Sequence, residues 1–308
     1  GLLPVNMAYA NIGLTDNLSM ETFYQLEFQE TVIEGCGTFF STNDYAAEGC
    51  NSVSIAGGAF SVARDEDGLR KAKDDGQFGM AFRYVSEALG DTEFGLYFMN
   101  IHSRAPIING TNHSLSAADE TGISDQVKLS VYGTLAAQNT IEAAVAGGTA
   151  TDAQMTTYVT ALTSAGGFLA SQRAAGASYF VTYPEDLQIA GLSFATNVGT
   201  MALSGEFSFH ADAPIQINGP MVIQALVSGV SASPATEIQN LVLGPNELNE
   251  GSRNFDISQV QMTAIKFFDQ IAGASRVILI GEAGYTFIHG FDEGSDAIKF
   301  GRSDIFGT

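Results

Sequence analysis

The sequence predicts an all-β fold: an antiparallel transmembrane β-barrel, present as a partial chain, with long extracellular loops that contain short helices. Three observations predict it. Apolar and polar residues alternate with period two over stretches of about eleven residues, the length a tilted strand needs to cross a bilayer. The connections alternate short, long, short, long, as in barrels with tight periplasmic turns and large external loops. No run of about 18 apolar residues exists, which excludes a transmembrane helix.

The clearest strand covers residues 18–29. Leu18, Met20, Tyr24, Leu26 and Phe28 share one face, and Ser19, Glu21, Gln25, Glu27 and Gln29 the other. Phe78, Met80, Phe82 and Tyr84 repeat the pattern, as do Phe94, Leu96 and Phe98, then Met201, Leu203, Phe207 and Phe209, then Val277, Leu279, Tyr285 and Phe287. Two strands are irregular. In residues 187–198 the apolar parity changes at Ala190-Gly191, which predicts a bulge, and in residues 257–271 it changes near Ile265. Leu14-Thr15-Asp16-Asn17, Gly90-Asp91-Thr92, Asn197-Val198-Gly199-Thr200 and Ala272-Gly273-Ala274-Ser275 are tight turns. Residues 30–76, 104–177 and 214–256 are the long loops. Within them, Thr151-Asp152-Ala153-Gln154 is a capping box opening a helix to about Ser171. Shorter helices are expected at residues 135–146 and 221–227.

Charge and cysteines bound the function. A net charge of -21 excludes a nucleic-acid partner, because a phosphate backbone needs a basic face. The acid excess with few Lys fits a solvated, salt-tolerant exterior. Cys36 and Cys50 stand close in sequence among Gly35, Gly37 and Gly49. A disulfide here contributes roughly 3 kcal/mol and implies an oxidising compartment; the alternative is two free thiols in a reducing one. No His lies near either Cys, so no metal site is expected. Asp65-Glu66-Asp67-Gly68 and Asp292-Glu293-Gly294-Ser295-Asp296 read as solvated loops; calcium ligation is the alternative, though neither has the full calcium-loop spacing.

No catalytic constellation, phosphate-binding loop or cofactor motif is present, so neither an enzyme nor a cofactor is expected. His102, His113, His210 and His289 are isolated from one another in sequence, and the first and third read as interfacial residues at strand ends. Glu21, Glu27, Arg83, Glu206 and Glu282 fall on the polar side of their strands and line the lumen if the sheet closes. They make either a selective passage or an interior whose charges, Arg83 with Glu21 or Glu27, satisfy each other. Phe39 and Phe40, adjacent aromatics inside the Cys36–Cys50 loop, are candidates for contact with a ligand or partner. The chain opens on Gly1-Leu2-Leu3-Pro4 without a signal peptide and ends on Phe306-Gly307-Thr308 without a terminal aromatic strand. With only about eight strands it is expected to be one barrel segment, residues 1–308, of a longer protein.

Particular runs carry a resemblance. They are Leu3-Pro4-Val5-Asn6-Met7, Gly13-Leu14-Thr15-Asp16-Asn17-Leu18, Phe23-Tyr24-Gln25-Leu26, and Gly35-Cys36-Gly37-Thr38-Phe39-Phe40-Ser41 with Asn43-Asp44-Tyr45. Thr92-Glu93-Phe94-Gly95-Leu96-Tyr97, His102-Ser103-Arg104-Ala105-Pro106 and Tyr183-Pro184-Glu185-Asp186 extend it to most of the chain. Together they resemble the large proteobacterial outer-membrane proteins catalogued as domain of unknown function thirteen-oh-two. The resemblance implies a longer barrel in the bacterial outer membrane, surrounded by lipid and lipopolysaccharide. It implies work beside a periplasmic lipoprotein-carrier-like partner and an inner-membrane exporter of the resistance-nodulation-division type, and passage of alkanes, fatty acids or lipids. It carries over no catalytic residue. The competing expectation is an adhesion or structural surface protein for which the barrel is an anchor. A soluble β-sandwich and an outer-membrane hydrolase stand further back.

Overall fold

Residues 3–39, 44–47, 49–228, 241, 243–271, 273–292 and 298–301 are described by the computed structural model. The alternating segments form strands β1 (Met7–Gly13), β2 (Leu18–Gln25), β5 (Phe78–Ser86), β6 (Thr92–Ile101), β9 (Leu187–Val198), β10 (Met201–Gln216), β12 (Ser252–Ile271) and β13 (Ala274–Ile288). They make one antiparallel eight-stranded sheet in the order β1-β2-β5-β6-β9-β10-β12-β13, here called the wall. It is open, with β1 and β13 as its edges.

Short turns close one end. Leu14 N donates to Leu18 O at 2.8 Å between β1 and β2, and β9 passes to β10 through Gly199-Thr200. Because short and long connections alternate along antiparallel strands, all three long connections leave from the other end. There they fold together. They supply β3 (Ser52–Ile55), β4 (Phe60–Arg70), β7 (Ile107–Thr111), β8 (Ser178–Thr182) and β11 (Leu248–Asn249), a second sheet in the order β11-β7-β8-β4-β3. Helices α1 (Ala117–Tyr132), α2 (Leu135–Ala146), α3 (Asp152–Gly176) and α4 (Gly219–Val227) belong to the same body, here called the cap.

The cap corrects the expected all-β fold with loops and short helices. The long segments bury a core of Val62, Ile108, Ala177, Tyr179, Ile223 and Leu226. β4 pairs with β8 in parallel, and α3 runs for 25 residues. All three connections contribute to that core: Val62 comes from the first, Ile108, Ala177 and Tyr179 from the second, and Ile223 and Leu226 from the third. α2 falls on its expected bounds, and α3 starts at its capping box, with Thr151 Oγ1 accepting from Gln154 N. The run Asp65-Glu66-Asp67-Gly68 is not a free loop. It bulges from β4 where the pairing with β8 jumps from Arg64 to Leu69, and Arg70 holds Asp65 at 3.1 Å. Residues 293–296 of the second acidic run lie outside the described residues.

β2 ends at Gln25 because the chain then turns into the cap: Leu26 N donates to Asn6 O and Phe28 N to Asp74 Oδ1, and Phe28 is buried with Ala72 and Tyr183. No bulge exists at Ala190-Gly191, nor a break at Ile265; β9 keeps continuous register with both neighbours, and β12 runs unbroken through Ile265. The register shift lies in β10 between His210 and Ala213, where Asp212 takes φ 48°.

Gln216 joins the bodies. Its Oε1 accepts Ile108 N at 2.7 Å, while its Nε2 donates to Gly251 O at 2.6 Å and Ile217 O at 2.9 Å. The amide thereby stands in for a peptide unit between the sheets. Buried Gly251 completes the joint: its N donates to Asn109 Oδ1 at 3.0 Å, and a Cβ there would strike Ile108 O.

Candidate functional site

Among the described residues, every buried hydrophobic side chain lies outside the eight wall strands. The wall therefore has no core of its own, and its two faces are its chemistry. Paired residues share a face, so the register reads each face row by row. One row runs Ile12, Met20, Phe82, Leu96, Leu192, Phe207, Val260, Tyr285 through all eight strands without a polar member. Leu192, near its middle, is 56% exposed. Above it stand Met80, Phe98, Ala190, Phe209 and Phe287; below it Leu18, Tyr84, Phe94, Phe194 and Met262. An exposed apolar surface of this breadth marks contact with something other than water.

The opposite face is polar at the same height. One row reads Asn11, Glu21, Ala81, Tyr97, Gly191, Ser208, Gln259, Thr286, and the next Gly13, Ser19, Arg83, Gly95, Ser193, Glu206, Gln261, Gly284. Hydrogen bonds knit this belt. Asn11 Nδ2 donates to Glu21 at 3.2 Å, and Arg83 reaches Glu21 at 3.4 Å and Glu93 at 3.2 Å. The Tyr97 hydroxyl donates to Glu206 across β9, and Gln261 Nε2 donates to Glu282 at 2.6 Å. Tyr97 reaches Glu206 because Gly191 lies between; a Cβ on Gly191 would collide with the Tyr97 ring. Glu21, Glu93, Glu206 and Glu282 outnumber Arg83, so the belt is acidic.

Toward the cap the polar face turns apolar. The row Tyr9, Phe23, Gly79, Met99, Ile189, His210, Ile257, Ile288 forms a shelf, with the Phe23 ring lying over Gly79. Below the belt, Ile265 and Ile280 restore apolar character. This change of face explains the parity shift inside β9: Leu187 and Ile189 serve the shelf, whereas Leu192 and Phe194 serve the apolar band.

Of the five expected inward residues, Glu21, Arg83, Glu206 and Glu282 meet on the belt. Glu27 does not: past the end of β2, its Oε1 accepts Asn6 N at 2.7 Å. Of the two alternatives for Arg83, Glu21 lies within ion-pair distance and Glu27 does not; Glu93 is the other carboxylate that it meets. Glu93, Tyr97 and Gln261 join the belt from outside the expected set, and Glu93 and Tyr97 alternate legibly with Phe94 and Leu96.

Cys36 and Cys50 form a disulfide. Arg64 pins the stapled loop to β4, its Nη1 donating to Ala47 O at 3.0 Å and its Nε to Gly68 O at 3.0 Å. Phe39 is 94% exposed, and Phe40 lies outside the described residues. His102 is buried at the corner between wall and cap; its Nδ1 accepts Asp186 N at 3.0 Å and its Nε2 donates to Asp75 O at 2.8 Å. Lys73, at 2.7 Å, with Asn100 holds the Asp186 carboxyl below the usual carboxylate range, and the same contact raises Lys73. His210 sits on the shelf, and His289 bonds Ser258 at 2.8 Å.

A cleft of about 460 Å³ opens where wall meets cap, lined in part by Arg70, Phe180, Asp212 and Glu250. Ala211, Ser252 and Asn254, also in its lining, lie on the apolar side of the wall by register.

A wall with one apolar and one polar face, crowned by a folded cap, defines a mostly β protein built on a two-sided antiparallel sheet; among the described residues no helix is long and apolar enough to cross a membrane. The chain belongs to the family described as "Protein of unknown function (DUF1302)", which matches residues 1–305. No curated protein and no solved structure matches it.

Proposed function

We propose that this chain is wall and cap of a bacterial outer-membrane β-barrel that passes apolar small molecules, without enzymatic chemistry. One observation carries the reading: an unbroken apolar row crosses eight strands that have no core, back to back with a hydrogen-bonded polar belt. Lipid satisfies the first face and a water-filled lumen the second. The cap then stands at the mouth and the apolar shelf beneath it receives the cargo. The acidic belt repels anions, which favours uncharged alkanes over ionised fatty acids. A periplasmic lipoprotein-carrier-like protein and an inner-membrane transporter of the resistance-nodulation-division type are the proposed onward partners, and lipid with lipopolysaccharide the surroundings.

The test is flux of labelled alkane and labelled fatty acid through the full-length protein in liposomes. The expected result is alkane flux above fatty-acid flux; folded protein with no flux beyond empty liposomes sinks the reading.

The cap favours a second reading, an adhesion or structural surface protein, because it is a folded body with exposed Leu135, Val159 and Phe168. Removing residues 134–149, the α2 hairpin, separates the two: loss of adhesion with unchanged permeability favours the anchor.

A further inference from the structure

We propose that the cleft between wall and cap binds the head group of a phospholipid bearing a primary amine. The cleft carries both signs of charge on facing elements. From the cap, Arg70 lies flat on the Phe180 ring with its guanidinium carbon 3.5 Å from the centroid. Its Nη2 is held by Asp65 and its Nε by the Asp67 carbonyl, which leaves the Nη1 edge as the donor for a phosphate. Glu185 and Asp186, also in the lining, already share Lys73. Asp212, from the β10 bulge, and Glu250, preceding β12, form no ion pair among the described residues. They are the acceptors for an ammonium with N–H donors.

The geometry also supplies a place for the tails. Ala211, Ser252 and Asn254 open the cleft onto the apolar side of the wall, where Phe209 and Phe287 stand in the row below, while Leu187 bounds it from the shelf side. A lipid with its phosphate at Arg70 and its amine at Asp212 and Glu250 lays its chains along that band. Net charge in the cleft is negative, so an anionic phosphatidylglycerol is disfavoured. Phosphatidylcholine has the phosphate and the positive charge but no N–H to donate.

This inference rests on the apolar face being the lipid-facing one, but its test does not use transport. The full-length protein, in non-ionic detergent with equimolar phosphatidylethanolamine, phosphatidylcholine and phosphatidylglycerol, is stripped and weighed by native mass spectrometry. Phosphatidylethanolamine is expected to be retained at least about fivefold over either competitor. The D212N/E250Q double variant is expected to bring the three within about twofold; Asn tolerates the left-handed backbone at position 212. Equal retention of the three lipids by the parent overturns the proposal, and so does an unchanged preference in a folded double variant. Should the variant misfold, the parent's lipid ranking decides alone. Lost alkane flux with a preserved lipid ranking overturns the transport reading and leaves this one standing.

Discussion

Wall and cap are made from one chain by opposite means. The wall's strands are long, its register is continuous but for one shift, and no hydrophobic side chain in it is buried. The cap's strands are short apart from β4, its parallel β4–β8 pairing joins distant segments, and its interior holds Tyr179, Leu226 and Val62 out of solvent. The wall is stabilised by backbone ladders and waits for an environment to cover one face. The cap covers itself. A sheet with no core is specified by alternation alone, whereas a cored body depends on a few irreplaceable contacts.

The largest effect should come from the cap's buried charges. Glu120 accepts Arg173 Nε at 2.8 Å, and both side chains are largely buried between α1 and α3. Glu120→Ala leaves the guanidinium unpaired and should cost about 4 kcal/mol. Among the described residues all four α-helices lie in the cap, so loss of helical far-UV dichroism at lower temperature, with the strand signal retained, is the expected readout. Melting of both signals together would mean that the two bodies are one cooperative unit.

Gly251→Ala strikes the joint instead. The new methyl meets Ile108 O, and about 3 kcal/mol of destabilisation is expected, felt by wall and cap alike. Chemical denaturation followed at both signals measures it.

Leu192→Lys sharpens the wall side of the contrast. At a 56% exposed site in water the change should fall within about 0.5 kcal/mol. At the middle of a bilayer it should cost about 2–3 kcal/mol. Refolding titrations in detergent-free buffer and in liposomes distinguish the two environments, and equal small effects in both count against a lipid-facing band.

Gln216→Ala removes the surrogate peptide unit and strands Ile108 N, for about 2 kcal/mol. Hydrogen exchange at Ile108 should accelerate before exchange in β6 does.

The smallest effect is acidification. Asp186 and Asp119 are held below the ordinary carboxylate range, Asp186 by Lys73 and Asn100, Asp119 by Ser116. Their stabilisation is therefore complete at neutral pH, begins to fall below about pH 4, and is lost as pH drops through the depressed values. The cap corner and the start of α1 should loosen in that window, seen as faster proteolysis near residues 73 and 116.

What the sequence disclosed follows the same division. β9 and α2 matched their expected bounds because alternation and helix composition are local signals. The belt was half legible for the same reason, since Glu21, Arg83, Glu206 and Glu282 mark the polar parity of their strands. Glu27 misled because alternation through Leu26 and Phe28 outlasts the strand, and Phe28 serves the cap core. The cap sheet was not legible: β4 and β8 pair across more than a hundred residues. Helix α1 hid because its capping box, Ser116 with Asp119, uses Asp where Glu or Gln is the usual signal, and Gly122, Ser124 and Asp125 blur its apolar face.

Under the proposed function, the order of shelf, belt and lower apolar row sets an energy profile. An apolar solute following that face meets two wells with a hydrophilic barrier between them. Ile257 and Ile265, which mark the wells on β12, are eight residues apart, or about 27 Å along an extended strand. A solute shorter than this must leave one well before entering the other, and its rate is set by the barrier. A chain longer than this touches both wells at once and slides without ever being fully expelled from either. The wall would then act as a ruler, with passage speeding up rather than slowing down once the cargo is long enough to bridge the belt.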